Sequence, residues 1–102
     1  MKQKTYIGID MGGTTLEGGL VSSKGRVLQT FTTLVPTRYR KRLIIQQVVE
    51  NVRELLQASK ECAGIGLGWP AAVNIPVKGY LVKNRLEKTF GLPVFLDNDA
   101  NC

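Results

Sequence analysis

The stretch Ile7-Gly8-Ile9-Asp10-Met11-Gly12-Gly13-Thr14-Thr15 decides how the rest of the chain is read. An apolar run, Tyr6 to Ile9, delivers a carboxylate, Asp10, and two glycines and two threonines follow at once. Apolar residues resume through Leu20 and Val21, so the pattern predicts strand, tight turn, strand. Glycines at such a turn let main-chain N–H groups converge on phosphoryl oxygens. Thr14 and Thr15 would add hydroxyl donors, and Asp10 a hard oxygen for magnesium, reached through water. The Gly-Lys-[Ser/Thr] ending of the Walker loop is missing. An ordinary hairpin fits the same nine residues, because Gly-Gly is a common turn dipeptide and an Asp before a turn often caps backbone N–H groups.

The remainder of the chain discriminates between these readings. Leu16 to Val21 is expected as a second strand, Ser22-Ser23-Lys24-Gly25 as a turn, and Arg26 to Thr33, rich in β-branched residues, as a third strand. Together they form an antiparallel meander. Beyond Pro36-Thr37 the period changes. Ile45, Val48, Val49, Val52, Leu55 and Leu56 recur at three- and four-residue steps, which predicts a helix from about Tyr39 to Ser59 packed on the sheet. Basic residues at its start oppose the macrodipole, so it should begin later than a cap at Thr37 implies. Ala63-Gly64-Ile65-Gly66-Leu67-Gly68 reads as a short strand to which something comes close. Strand, helix, strand implies a right-handed crossover, with the fourth strand parallel to the first.

Asn74, Pro76 and Lys78-Gly79 suggest a loop, with a short strand at Tyr80 to Val82. Asn84-Arg85-Leu86-Glu87 has the form of a capping box, and Gly91-Leu92-Pro93 of a helix stop. Val94-Phe95-Leu96 is a buried strand that delivers Asp97-Asn98-Asp99-Ala100-Asn101-Cys102. In open α/β sheets ligands lie at the carboxyl ends of strands. The strand exits should therefore bring Asp10, Asp97 and Asp99 together, with Asn98 and Asn101 as amide partners for hydroxyl groups. A carboxylate within reach of a sugar hydroxyl can take its proton as a general base. A phosphoryl group at the glycine turn would be the electrophile. Asp and Asn also begin helices, so Asp-Asn-Asp is a weak signal until it is paired with the glycine turn.

Composition narrows the function classes. The 102 residues, 43% hydrophobic and 22% charged, fit one small domain with a real core, too short for two closing lobes. No repeat or low-complexity segment occurs. Met1–Thr5 runs straight into the first strand, which predicts no secretory leader. No apolar run reaches membrane-spanning length. Two cysteines and no histidine exclude a disulfide framework and a Cys/His zinc site, and point to a reduced, cytoplasmic protein. Cys62 is expected to be a small, part-buried residue at a helix–strand junction. Net charge is +6 and the isoelectric point about 9.6. The basic residues are scattered apart from Arg38, Arg40, Lys41 and Arg42, which argues against nucleic acid and suits phosphorylated ligands.

Three segments in this order resemble the ROK family of sugar kinases and sugar-responsive repressors. Gly8-Ile-Asp10-Met-Gly-Gly-Thr14 is similar to that family's phosphate motif, Ala63–Gly68 to its glycine-rich fourth strand, and Gly91-Leu-Pro-Val-Phe-Leu-Asp-Asn-Asp-Ala-Asn101 to its sugar-binding and catalytic motif. The resemblance covers residues 5–102. It implies an actin-like, ribonuclease-H-type α/β fold: a mixed sheet with three antiparallel strands first, then parallel strands, and helices packed on it. It implies phosphoryl transfer from ATP, with Mg2+, to a hydroxyl of a hexose, as in a glucokinase. Asp99 matches the catalytic base and Asn98 the neighbouring sugar ligand. Asp10, which also faces the metal, Gly12, Gly13 and Thr14, with Thr15 beside them, match the phosphate loop. Gly68, Ala72 and Asn74 fall in the loop that flanks the sugar.

The chain departs from the family pattern at three places. Thr15 stands where Lys is frequent, Gly68-Trp69-Pro70-Ala71 replaces a Pro-Gly-Pro type of turn, and the stretch from Val73 to Leu86 is short. On this resemblance, residues 1–102 are a single N-terminal lobe, inactive alone. The second lobe, with the adenosine site and the family's zinc site, is not in this sequence. A lone lobe exposes the apolar face that meets its partner, a surface for homo-oligomers or other association. The rival readings are a non-catalytic sugar-sensing module of a repressor, and a truncated inactive remnant.

Overall fold

The computed structural model describes residues 4–12, 15–35, 41–59, 61–70 and 77–97. Five strands and two helices alternate as β1 (Thr5–Gly12), β2 (Thr15–Ser22), β3 (Val27–Leu34), α1 (Lys41–Ala58), β4 (Cys62–Gly68), α2 (Gly79–Phe90) and β5 (Val94–Asp97). They form one sheet in the order β3-β2-β1-β4-β5. The first three strands are the expected antiparallel meander, and β4 and β5 then add parallel to β1.

Alternation along β1 explains which way the sheet faces. Ile7, Ile9 and Met11 are buried, whereas Tyr6, Gly8, Asp10 and Gly12 are exposed. The buried set joins Leu16 and Leu20 of β2, Ile65 and Leu67 of β4 and Val94 of β5 under one cluster. Both helices cover that same face. Helix α1 supplies Ile44, Val48, Val52 and Leu55, and α2 supplies Val82 and Leu86. The two helices touch, and Arg53 of α1 stacks its guanidinium 5.7 Å from the Phe90 ring of α2, a cation–π contact. Both helices therefore lie on one side of the sheet, and among the described residues nothing covers the centre of its other face.

Helix α1 is described over Lys41–Ala58; the expected start near Tyr39 and the cap at Thr37 lie outside the described residues. Gly91 ends α2 in the left-handed conformation at φ 68°, and its N–H donates to the Glu87 carbonyl at 2.9 Å. The turn after β2 is closed by Ser22, whose Oγ accepts from the N–H groups of Lys24 and Arg26 at 3.3 and 3.1 Å. Cys62 is part-buried at the start of β4, and its Sγ–H donates to the Gly64 carbonyl at 3.4 Å.

Two expectations are corrected at α2. Tyr80 to Val82 is the first turn of this helix, not a strand, and Asn84 lies inside the helix rather than capping it. The cap is Lys78, in extended conformation and without a side-chain cap bond. The reason is tertiary. Val82 and Leu86, four residues apart, are both fully buried, a helical spacing that strand propensity in Gly-Tyr-Leu-Val cannot satisfy. Gly79 also sits where any Cβ would meet Trp69 Cβ at 2.9 Å and Leu96 Cδ1 at 3.0 Å. The helix thus starts pressed against the exits of β4 and β5.

Candidate active site

Register places the predicted groups relative to one another. In β1–β4 Asp10 lies opposite Gly68, and in β4–β5 Gly68 lies opposite Asp97. On the other side Asp10 pairs with Glu17, and Glu17 with Thr32. A single row, Thr32–Glu17–Asp10–Gly68–Asp97, therefore crosses the whole sheet at the carboxyl ends of its parallel strands. Asp10, Glu17 and Asp97 are exposed. Asp10 and Asp97 flank one strand, so their Cα atoms stand about 10 Å apart. That gap accommodates a hydrated cation between two carboxylates.

Gly68 controls where the Asp10 carboxylate rests. A Cβ built at Gly68 would meet Asp10 Oδ1 at 2.7 Å, far inside contact distance. With no side chain there, the carboxylate leans across β4 toward the Asp97 side. Beside the row runs a second one, Gly19–Gly8–Gly66–Phe95. A Cβ at Gly8 would meet nothing within 4 Å, and one at Gly66 only the Ile7 carbonyl at 3.9 Å. The two rows line a shallow groove of about 770 Å3 on the open face. Its floor is backbone and its rim is acidic. Tyr6 and Phe95, 45% and 70% exposed, stand on the same face.

Among the sequence-predicted residues, Asp10, Gly12, Thr15 and Gly68 are described. Thr15 Oγ1 donates to the Gly12 carbonyl at 3.4 Å across the β1–β2 turn. Gly12 does not carry a positive φ, and a Cβ there would make an ordinary 3.7 Å contact. Backbone strain is therefore not its reason for being glycine. Gly13, Thr14, Ala72, Asn74, Asn98 and Asp99 lie outside the described residues, although the strand leading to Asn98 and Asp99 ends in the acidic row. Sequence reasoning missed Glu17. The pairing of Gly12 with Thr15 fixes the hairpin register, and that register puts Glu17 opposite Asp10. Among the described residues no group of three or more His, Cys, Asp or Glu side chains could hold a metal ion by itself. No described helix is long and apolar enough to cross a membrane.

A meander followed by two parallel strands, with helices on one face and carboxylates at the strand exits, defines a lobe of the actin-like ATPase class. The ROK family pattern matches residues 6–102, and the chain belongs to the ROK family. It is similar to the glucokinase of Halalkalibacterium halodurans, 30% identical across 99% of this chain and 35% of the relative. Its fold superimposes on a ROK family glucokinase from Streptomyces griseus in complex with glucose and AMPPNP, with a TM-score of 0.75 and 32% identity, covering 95% of this chain and 34% of that one. A ROK family transcriptional regulator, a homologue of the E. coli MLC protein, gives a TM-score of 0.80 at 18% identity, over 94% of this chain and 28% of its own, a likeness of fold alone. The chain spans about a third of the length of these relatives.

Proposed function

We propose that residues 1–102 are the N-terminal lobe of an ATP-dependent, glucokinase-like sugar kinase and carry the acidic half of its catalytic cleft. The observation that carries this reading is the row Asp10–Gly68–Asp97 at the exits of three parallel strands, in a chain similar to a glucokinase solved with glucose and a nucleotide. In this proposal the β1–β2 turn, with Gly12, Gly13, Thr14 and Thr15, receives the phosphates of ATP. Asn98, Asn74, Ala72 and Gly68 flank the sugar. Asp99 accepts the proton of the attacking hydroxyl, so the developing alkoxide need not form free. Asp10 and Asp97 fit Mg2+ as hard oxygens too few to form a closed cage, the arrangement this ion takes when it keeps waters and shares phosphate oxygens. Magnesium would supply charge neutralisation on the transferring phosphoryl group.

ATP needs walls on both sides, and one lobe offers one. The chain alone should bind weakly and not turn over. Kinases and regulators share this fold, so the sensing alternative is separated by chemistry, not by shape. The test is an amide NMR titration of the 102-residue chain. Glucose should shift residues at the ends of β4 and β5, Mg·AMPPNP should shift the end of β1, and omission of Mg2+ should abolish the second response. Glucose binding with no nucleotide response would favour a sensing module, and no response to either would overturn the proposal. Sugar-dependent ADP release by the chain alone would refute its incompetence.

A further inference from the structure

We infer that the outer edge of β3 is a pairing surface for a second copy of this chain, joining two sheets antiparallel across a two-fold axis. The inference stands independently of the kinase reading. β3 ends the sheet beyond β2, so one side of its backbone has no strand partner among the described residues. Val27–Leu34 is eight residues long. It holds no charged residue and no proline, and Thr30, Phe31, Thr32 and Thr33 favour extended backbone. Val27, Leu28 and Leu34 are 60%, 50% and 77% exposed. Soluble proteins protect a strand edge with lysine, proline, short length or a bulge, because its free N–H and C=O groups pair with any strand that docks. The opposite edge follows that rule: β5 has four described residues and comes directly after Pro93. On β3 the register shift falls at the start of the strand, opposite Leu20 and Val21, and residues 29–34 pair regularly with β2.

The occupant is a second copy because this strand suits itself. A two-fold axis normal to the sheet runs the two β3 strands antiparallel and presents the same patch from both sides. Centred on Phe31, it sets Thr30 opposite the partner's Thr32, twice, and Leu28 opposite the partner's Leu34. Such β-branched and apolar cross-strand pairs are of the stabilising kinds. Charge agrees. The chain carries 14 Lys and Arg and a net charge of +6, which drives copies apart over most of the surface, but none of these cations lies within β3. Lys24 and Arg26 precede the strand, so the antiparallel arrangement holds the two copies' cations at opposite ends of the seam. The axis keeps both open faces on one side of a sheet built from five strands of each copy, with both helix layers on the other side. Each groove stays accessible. Association through the open face would instead cover Tyr6 and Phe95 and close the groove.

The test is sedimentation equilibrium of the 102-residue chain over a concentration series. A single strand edge makes a small interface, so the association is weak. The mass should rise from the 11.2 kDa of one chain toward twice that value below about 1 mM. Thr30 and Thr32 are exposed, so lysines there leave the core untouched. The double variant Thr30→Lys/Thr32→Lys sets like charges opposite each other, and its dimer should weaken at least about tenfold. Mixing it with Thr30→Glu/Thr32→Glu should restore a dimer with one chain of each kind. In a mixture of labelled and unlabelled wild-type chains, NOEs should join the Thr30 methyl protons to those of the partner's Thr32. A chain that stays monomeric to about 1 mM overturns the inference. So does a dimer unaffected by the lysine pair; if Phe95→Ser dissolves that dimer, the open face holds it. Should the lysine variant fail to fold by circular dichroism, the wild-type NOE decides: its absence from a dimer overturns the inference.

Discussion

Substituting Gly68 by alanine should separate folding from function at one atom. The added Cβ would sit 2.7 Å from Asp10 Oδ1 but 3.7 Å from the Ile9 carbonyl. The strand can therefore keep its path, and the side chain must give way. Regaining an ordinary contact of 3.4 Å moves the carboxylate oxygen by about 0.7 Å. Asp10 is exposed and can rotate, at about 0.5–1.5 kcal/mol if it leaves its rotamer well. Alanine offsets this by about 0.5–1 kcal/mol relative to glycine in a strand. The two nearly cancel, so the melting temperature should move by less than about 6 °C. The site fares differently, because catalytic and binding groups must be held within about 0.5 Å of their working geometry. Affinity for Mg·AMPPNP should fall roughly tenfold. Thermal melting by circular dichroism and the NMR titration read the two effects independently. A melting point lowered by more than about 10 °C, or an unchanged nucleotide affinity, would refute the claim that Gly68 exists to seat Asp10.

Four further substitutions probe neighbouring points. Asp10→Asn should leave the melting temperature within about 3 °C and remove the magnesium-dependent part of the nucleotide response, read in the same titration. Gly18→Ala should destabilise the chain by about 2–3 kcal/mol in urea titration, since its Cβ would meet Phe31 Cε2 at 2.5 Å, the Gly8 carbonyl at 2.7 Å and Ile9 Cδ1 at 2.8 Å. Gly66→Ala should instead raise stability by about 0.5–1 kcal/mol, because only the Ile7 carbonyl, at 3.9 Å, comes near its Cβ. Leu86→Ala, at a fully buried position, should cost about 2–5 kcal/mol by denaturant unfolding while the β1–β3 meander remains the last region to exchange.

What the sequence makes legible here follows from range. The hairpin at Gly12–Thr15, the apolar face of α1 and the stop at Gly91 are local patterns, and each is found where the residues predict it. The parallel placement of β4 follows from crossover handedness, which is chirality rather than local preference. The start of α2 was not legible. Gly79-Tyr80-Leu81-Val82 carries strand-forming residues, and Asn84-Arg-Leu-Glu87 mimics a capping box. Only contact with Trp69 and Leu96 selects the helix and its first residue. The site divides along the same line. Asp10 and Gly68 could be picked as strand-end residues, but the reason for Gly68 is an atom of Asp10, 58 positions away in sequence. Trp69 looked like a departure from a turn pattern because its partners Val77 and Asp97 are defined by folding.

The glycines of the sheet show why this chain reads as half of a cleft. Gly18 is demanded from within, by Phe31 and Ile9, and Gly68 by Asp10. Gly19 is held tightly as well, its Cβ position 3.0 Å from the Gln29 carbonyl. Gly8 and Gly66 are different. They pair directly with each other at the centre of the sheet, and among the described residues no side chain comes within 4 Å of a Cβ built at either. Each weakens its strand by about 0.5–1 kcal/mol relative to alanine, and the chain gains no packing in return. A flat backbone floor of this kind has value only to something that lies directly upon it. The acidic rim stands along one side of the floor, and Tyr6 and Phe95 are exposed on the same face. On the proposed kinase reading, ligand and second lobe would meet the sheet side by side, phosphate and sugar at the rim, polypeptide on the floor. Bulk added at Gly8 or Gly66 should then harm assembly while sparing the isolated lobe, whereas change at Gly68 harms the site in both. If large side chains at Gly8 and Gly66 left an assembled two-lobed kinase fully active, the floor would have no such use.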